Sequence, residues 1–274
     1  MPSGRLSRHA TSSGPRWAFE GRYLPIRVGL ALLLALPSES MRAILVDLAS
    51  DEEAGDPLLA PVDPMQEVWA SGVTYLRSRE ARKTESQVAD VYEHVYDAER
   101  PELFLKSIGW RVVGNDAAVR IRKDSAWNVP EPELVLVINR FGEIVGYTAG
   151  NDVSSRDIEG ENPLYLPQAK IYDGSCAVGP AIVLAEGAEL TEIAIGLTIS
   201  RDGREVFAGT TATSHMKRAF PDLARYLLAE YEAPQGVLLM TGTGIIPPDD
   251  FSLAVGDRIR IDVGPLGLVN TVAG

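Results

Sequence analysis

Apolar residues recur at strand spacing through most of the second half of this chain. The runs "LVLVI" (134–138) and "EIVGYTA" (143–149) flank Asn139–Gly142, a turn signal, and so predict a hairpin. "PAIVLA" (180–185) reads as a further buried strand, and "IAIGLTISRDGREVFAGTTAT" (193–213) as a long hairpin turning at Asp202–Gly203, a pair that accepts the positive φ angles of a tight turn. "GVLLMTGTG" (236–244), "DRIRIDVG" (257–264) and "LGLVNTV" (266–272) complete a β-rich body, and "VWASGVTYLRSREARK" (68–83) reads as a short strand entering a charged turn. Helical spacing is confined to three places. These are "VGLALLLALPSESMRAILVDLA" (28–49), broken at Pro37, "TESQVADVYEHVYDAERP" (84–101), with Val88, Val91 and Val95 on one face, and "MKRAFPDLARYLLAEYE" (216–232), with Leu223, Tyr226, Leu227 and Tyr231 on one face. The pattern predicts a β-rich α+β fold.

The first 27 residues carry Arg5, Arg8, Arg16, Arg22 and Arg27 against Glu20 alone, which predicts a disordered arm ahead of the first helix. Whether residues 1–25 belong to the folded protein is left open by the sequence. The apolar run Val28–Leu36 has the length of a signal-peptide core, but no small-x-small cleavage site follows it, and it is too short to span a bilayer. A Pro/Asp/Glu-rich stretch, Ser50–Val68, marks the expected boundary between residues 1–65 (arm, short helix and linker) and the main domain over residues 66–274.

Charge and composition narrow the function classes. A net charge of −12 opposes nucleic-acid binding, which needs a basic face. The single cysteine, Cys176, excludes an internal disulfide framework and CxxC zinc sites, and fits a cytoplasmic setting. Cys176 reads as a small core hydrophobe. His9, His94 and His215 share no zinc-binding spacing, and no glycine-rich phosphate loop is present.

The carboxylates at the mouth of the first hairpin carry the chemistry. Glu131 and Glu133 stand two residues apart, so in a strand they project from one face, with Val135 and Val137 further along it. Pro130 and Pro132 remove two ladder donors, which suits the first residues of a strand or a sheet edge. An antiparallel return at Asn139–Gly142 brings Asp152 beside that start. Three adjacent acids repel unless a cation neutralises them. Oxygen ligands of this kind suit Mg²⁺, with Mn²⁺ and Ca²⁺ as alternatives. A solvated hairpin mouth is the competing reading of the same residues.

The run "GYTAGNDVSSRD", preceded by "PEPEL" and followed by "ENPLYLPQAKIYDGSCAVGP", resembles the fumarylacetoacetate hydrolase superfamily, as do "RPELFLK" (100–106), "DSAWNVPEPEL" (124–134) and "TGTGIIP" (241–247). Within it, the chain from about Val68 onward most resembles the 2-keto-3-deoxypentonate (arabinonate or xylonate) dehydratases. The resemblance implies a fumarylacetoacetase-type mixed β-sandwich or roll, with Glu131, Glu133 and Asp152 as ligands of a divalent metal, usually Mg²⁺. It implies Lys170 near the metal, polarising a keto oxygen or shuttling a proton, and Thr243 at the substrate carboxylate or a bound water. It also implies Glu102 as an acid/base group, and an arginine at position 79 suits an anionic or hydroxyl-rich substrate.

The implied activity is Mg²⁺-dependent loss of water from a 2-keto-3-deoxypentonate to give 2,5-dioxopentanoate. An acylpyruvate hydrolase or a 2-keto-acid decarboxylase on the same scaffold is the alternative. The hydrolases tend to carry a histidine close after the tyrosine equivalent to Tyr75; here Leu76, Arg77, Ser78 and Arg79 follow. The expected partners are a small 2-keto acid and further copies of the chain in a homodimer or homotetramer. Neither nucleic acid nor membrane is expected.

Overall fold

The computed structural model describes residues 4–76, 95–186 and 190–274. Arg79, His94 and most of the helix expected over 84–101 lie outside the described residues. Among them the strands are β1 (Arg5–Thr11), β2 (Gly14–Phe19), β3 (Arg22–Tyr23), β4 (Leu58–Leu59), β5 (Glu67–Gly72), β6 (Glu102–Ile108), β7 (Ala118–Arg120), β8 (Asn128–Val129), β9 (Pro132–Ile138), β10 (Ile144–Asp152), β11 (Ser154–Ser155), β12 (Cys176–Leu184), β13 (Ala194–Arg201), β14 (Arg204–Ala212), β15 (Val237–Met240), β16 (Arg258–Val263) and β17 (Leu266–Ala273). The helices are α1 (Leu30–Leu34), α2 (Ser38–Leu48), α3 (Arg156–Glu161), α4 (Leu166–Lys170) and α5 (Phe220–Leu227).

A ten-stranded sheet runs in the order β3-β2-β1-β12-β10-β9-β15-β5-β6, with β4 paired to β1. A five-stranded sheet, β14-β13-β16-β17-β7, packs on one of its faces. The predicted β-rich character and both long hairpins are present, and the β13–β14 turn places Asp202 and Gly203 at φ 52° and 74°.

Strand β9 is buried along its whole length because both of its faces are covered. Leu134, Leu136 and Ile138 join the core between the two sheets. Val135 and Val137 join a second core on the opposite face, under α1, α2 and the N-terminal strands. An uninterrupted apolar run is what such a two-sided burial requires.

The first residues depart from expectation. Instead of a disordered arm, β1 and β2 form a hairpin whose first strand pairs with β12. Its arginines occupy partly exposed positions, while Leu6, Trp17 and Ala18 are buried and Trp17 Nε1 donates to Asp63 Oδ1 at 2.9 Å. The composition predicts an arm because the alternation leaves so few apolar positions per strand. The second core takes Leu6, Leu30 and Met41 together with Val135, Cys176 and Met240, so it spans both sides of position 65.

Candidate active site

Strand polarity gathers the chemistry at one end of the large sheet. β5 and β15 run parallel, and β9 runs against β15. β10 runs against β9, and β6 against β5. The last residues of β5, β10 and β15 therefore meet the first residues of β6 and β9. In register terms Gly72 lies opposite Glu102, and Gly150 opposite Glu133; Asp152 N donates to Glu131 O at 3.0 Å.

Carboxylate oxygens of Glu131, Glu133 and Asp152 lie within 4.8 Å of one another, and all three side chains are buried. Burying three acids in one place is costly unless cations compensate. Three basic side chains do part of this. Lys170, the last residue of α4, sends its ammonium group to Glu131 Oε2 (2.6 Å), Asp152 Oδ2 (3.1 Å) and Ser154 Oγ (2.5 Å). Arg156 Nη1 donates to Glu131 Oε1 at 2.9 Å and stands 3.9 Å from Glu159 Oε2. Lys106 Nζ lies 2.5 Å from Asp152 Oδ1 and donates to the carbonyl oxygens of Val153 (3.0 Å) and Lys170 (2.5 Å).

Among the described residues, four buried acids, counting Glu159, thus face three buried bases. Glu133 carries the consequence. It accepts from the backbone N–H of Gly242 at 2.6 Å. Burial first, and then the charges of Asp152 and Glu131, still hold its carboxyl well above the usual range. A cluster of buried hard oxygen donors, one of them holding its proton only for want of a cation, fits a divalent ion such as Mg²⁺.

A cleft brings this cluster together with the other residues expected from sequence: Glu102, Lys170 and Thr243 all line it, beside Phe104 and Val73. Thr243 is buried, and its hydroxyl accepts from Ile245 N at 3.2 Å within the turn after β15. Arg79 lies outside the described residues. Burial pushes the Cys176 thiol up to about 12, as befits a core side chain rather than a nucleophile.

Sequence reasoning missed Lys106, Arg156 and Glu159. Lys106 stands at a bulge in β6, where Val68 pairs with Ser107 and Trp69 with Leu105, and such a bulge re-aims a side chain. Its i, i+2, i+4 spacing from Glu102 and Phe104 would be a signal only in a regular strand, and the bulge at Lys106 interrupts that alternation.

The chain belongs to the fumarylacetoacetate hydrolase family: residues 67–273 match the model of the fumarylacetoacetate (FAA) hydrolase C-terminal family. Among relatives, it is 43% identical over 248 residues to the "Probable 2-keto-3-deoxyxylonate dehydratase" of Haloferax volcanii, covering 88% of this chain and 85% of that one. It is 44% identical over 217 residues to the "2-dehydro-3-deoxy-D-arabinonate dehydratase" of Saccharolobus solfataricus, covering 77% and 72%. The fold superposes on 2-keto-3-deoxy-D-arabinonate dehydratase complexed with magnesium and 2,5-dioxopentanoate, with a TM-score of 0.83, 32% identity and 98% of each chain covered.

Proposed function

We propose that this protein is a Mg²⁺-dependent hydro-lyase that converts a 2-keto-3-deoxypentonate, arabinonate or xylonate, to 2,5-dioxopentanoate. The observation that carries the reading is the convergence of Glu131, Glu133 and Asp152 with Lys170 and Glu102 in one cleft, on a chain so similar to the two dehydratases. Glu131, Glu133 and Asp152 hold the cation. When bound, it supplies positive charge against which negative charge on the substrate's keto oxygen is stabilised.

The remaining chemistry belongs to the chain. Dehydration needs a base for a C3 proton and an acid for the departing C4 hydroxyl. Glu102 enters from β6 the cleft that the acids of β9 and β10 also line, and serves as the acid/base group. Lys170 Nζ reaches Glu131, Asp152 and Ser154, which fixes it beside the acids that hold the cation, and from there it polarises the keto oxygen or shuttles a proton. Thr243 and Arg79 position the substrate carboxylate and hydroxyls. Loss of the C3 proton and of the protonated C4 hydroxyl leaves a C3–C4 double bond. Loss of a C5 proton and return of a proton to C3 shift it to C4–C5, and the resulting enol takes a proton at C4 and loses one from its hydroxyl to give the C5 aldehyde. The protein is read as a cytoplasmic homodimer or homotetramer.

The test is turnover of 2-keto-3-deoxypentonates with and without EDTA, set beside acylpyruvates. We expect Mg²⁺-dependent release of 2,5-dioxopentanoate, slow acylpyruvate cleavage, and a roughly 10²–10⁴-fold loss of rate in Glu102→Gln with unchanged Mg²⁺ affinity. Full activity in EDTA, or faster cleavage of acylpyruvate than dehydration of every deoxy-sugar acid tried, refutes this reading.

A further inference from the structure

Residues Ser71–Tyr75 leave the end of β5 and run between Glu102 and the turn that carries Gly242. Ser71 Oγ donates to Glu102 O at 2.9 Å, and Thr74 Oγ1 donates to Thr241 O at 2.6 Å. Gly242, at φ 90°, packs so closely on this segment that a Cβ there would stand 2.1 Å from Thr74 Oγ1 and 2.9 Å from Ser71 O. Between these two anchors Val73 is buried at φ 52°. A β-branched residue holds that left-handed conformation only where its surroundings dictate it. The segment is thus fixed on one side to the strand of Glu102, and on the other to the N–H donor of Glu133.

Gly72 sits at the start of this fixed segment, and the reason for a glycine there is specific. It is not among the residues with positive φ, so its backbone conformation is open to any side chain. What excludes a side chain is Glu102 itself. A Cβ at position 72 would stand 1.8 Å from Glu102 Oε2, 2.7 Å from its Cδ and 3.5 Å from its Cγ, and these are the three nearest atoms. The carboxylate of Glu102 lies flush on the backbone of β5, in the volume a residue-72 side chain would fill.

We propose that Gly72 is a positioning residue that sets the pose of the Glu102 carboxylate in the cleft. The proposal rests on Glu102 being the acid/base group. A Cβ at position 72 moves the far end of a flexible side chain rather than any backbone, so the fold tolerates the change while the carboxylate is displaced. Displacing a reacting group by about an ångström costs up to roughly 10²-fold in rate.

The test compares Gly72→Ala, Glu102→Gln and the double variant, at saturating Mg²⁺ on a 2-keto-3-deoxypentonate, with Mg²⁺ affinity and melting temperature measured alongside. Gly72→Ala should lower kcat by roughly 10–100-fold, leave KM and Mg²⁺ affinity within about twofold, and leave the melting temperature undiminished. The double variant should be no slower than Glu102→Gln alone, because the pose of a group that no longer transfers protons does not matter. A Gly72→Ala enzyme at wild-type rate beside a slow Glu102→Gln overturns the positioning role and leaves Glu102 in place. Losses that multiply in the double variant, or a lowered melting temperature in Gly72→Ala, show that the glycine acts other than through Glu102. Wild-type rate in Glu102→Gln removes Glu102 from the mechanism, and the proposal with it.

Discussion

Glu133 is the residue at which the acid cluster's imbalance becomes measurable. Burial and two neighbouring carboxylates raise its carboxyl in the metal-free protein, so the folded state binds that proton more tightly than the unfolded chain, whose value is near 4.5. The stability linked to this group is full below that unfolded value and is lost as pH rises through the folded one. A cation reverses the preference, because it takes the carboxylate and expels the proton. Mg²⁺ affinity should therefore strengthen as pH rises, with proton release on binding, as read by calorimetry in buffers of different ionisation enthalpy. Affinity independent of pH without proton release would contradict it. Lys106 gives a second test at this scale. Its ammonium neutralises Asp152 and ties the backbone carbonyls of Val153 and Lys170 to the site. Removing one partner of a buried pair costs about 3–5 kcal/mol. Lys106→Met should thus melt well below wild type without metal and gain more from Mg²⁺ than wild type does, because the cation restores charge beside Asp152. An equal Mg²⁺-induced shift in both proteins would count against this role.

At the scale of elements, the β9–β10 hairpin was open to reading from sequence, and so was its acid mouth. Period-two geometry and a four-residue turn signal suffice to bring Glu131, Glu133 and Asp152 together. The cations were hidden. Lys106, Arg156 and Lys170 meet the acids only through the order of strands in the sheet and one bulge, neither of which any local pattern carries; Lys170 was found through resemblance. The β1–β2 hairpin was hidden for another reason. A strand at the flank of a sheet keeps its arginines at the rim and has little left to signal burial. The structure nevertheless makes it structural. Deleting residues 4–21 removes buried Leu6, Trp17 and Ala18 and uncovers the backbone of β12 at Ile182 and Val183. Full burial of Leu or Trp contributes about 1.5–3 kcal/mol each, so about 5 kcal/mol is at stake against a typical total of 5–15. For a chain of this size that lowers the melting temperature by roughly 10–20 °C and leaves an exposed strand edge prone to aggregate. A truncated protein that melts with the full chain would show the hairpin to be dispensable.

At the scale of the molecule, the two stretches on either side of position 65 share one core rather than meeting across a surface. Leu6, Leu30 and Met41 from the first pack with Val135, Val137 and Met240 from the second, on the face of β9 from which Glu133 also projects. Among the described residues the cleft is lined by ones between Ser71 and Ile246, so the division has chemical meaning even where it has no mechanical one. Two halves built around a common core lose it together. Heating should therefore give one transition, with the fluorescence of Trp17 and the far-ultraviolet signal of the sheets coinciding in a protein where Trp69, Trp110 and Trp127 are replaced by phenylalanine. Mg²⁺ should move that transition as a whole. Binding at one hundred times its dissociation constant adds about 2.7 kcal/mol to the folded state. At roughly 2–4 °C per kcal/mol, both probes should rise together by about 5–10 °C. An early fluorescence change at Trp17 that Mg²⁺ leaves in place would mean that the N-terminal hairpin comes away by itself and that the metal site feels only the rest.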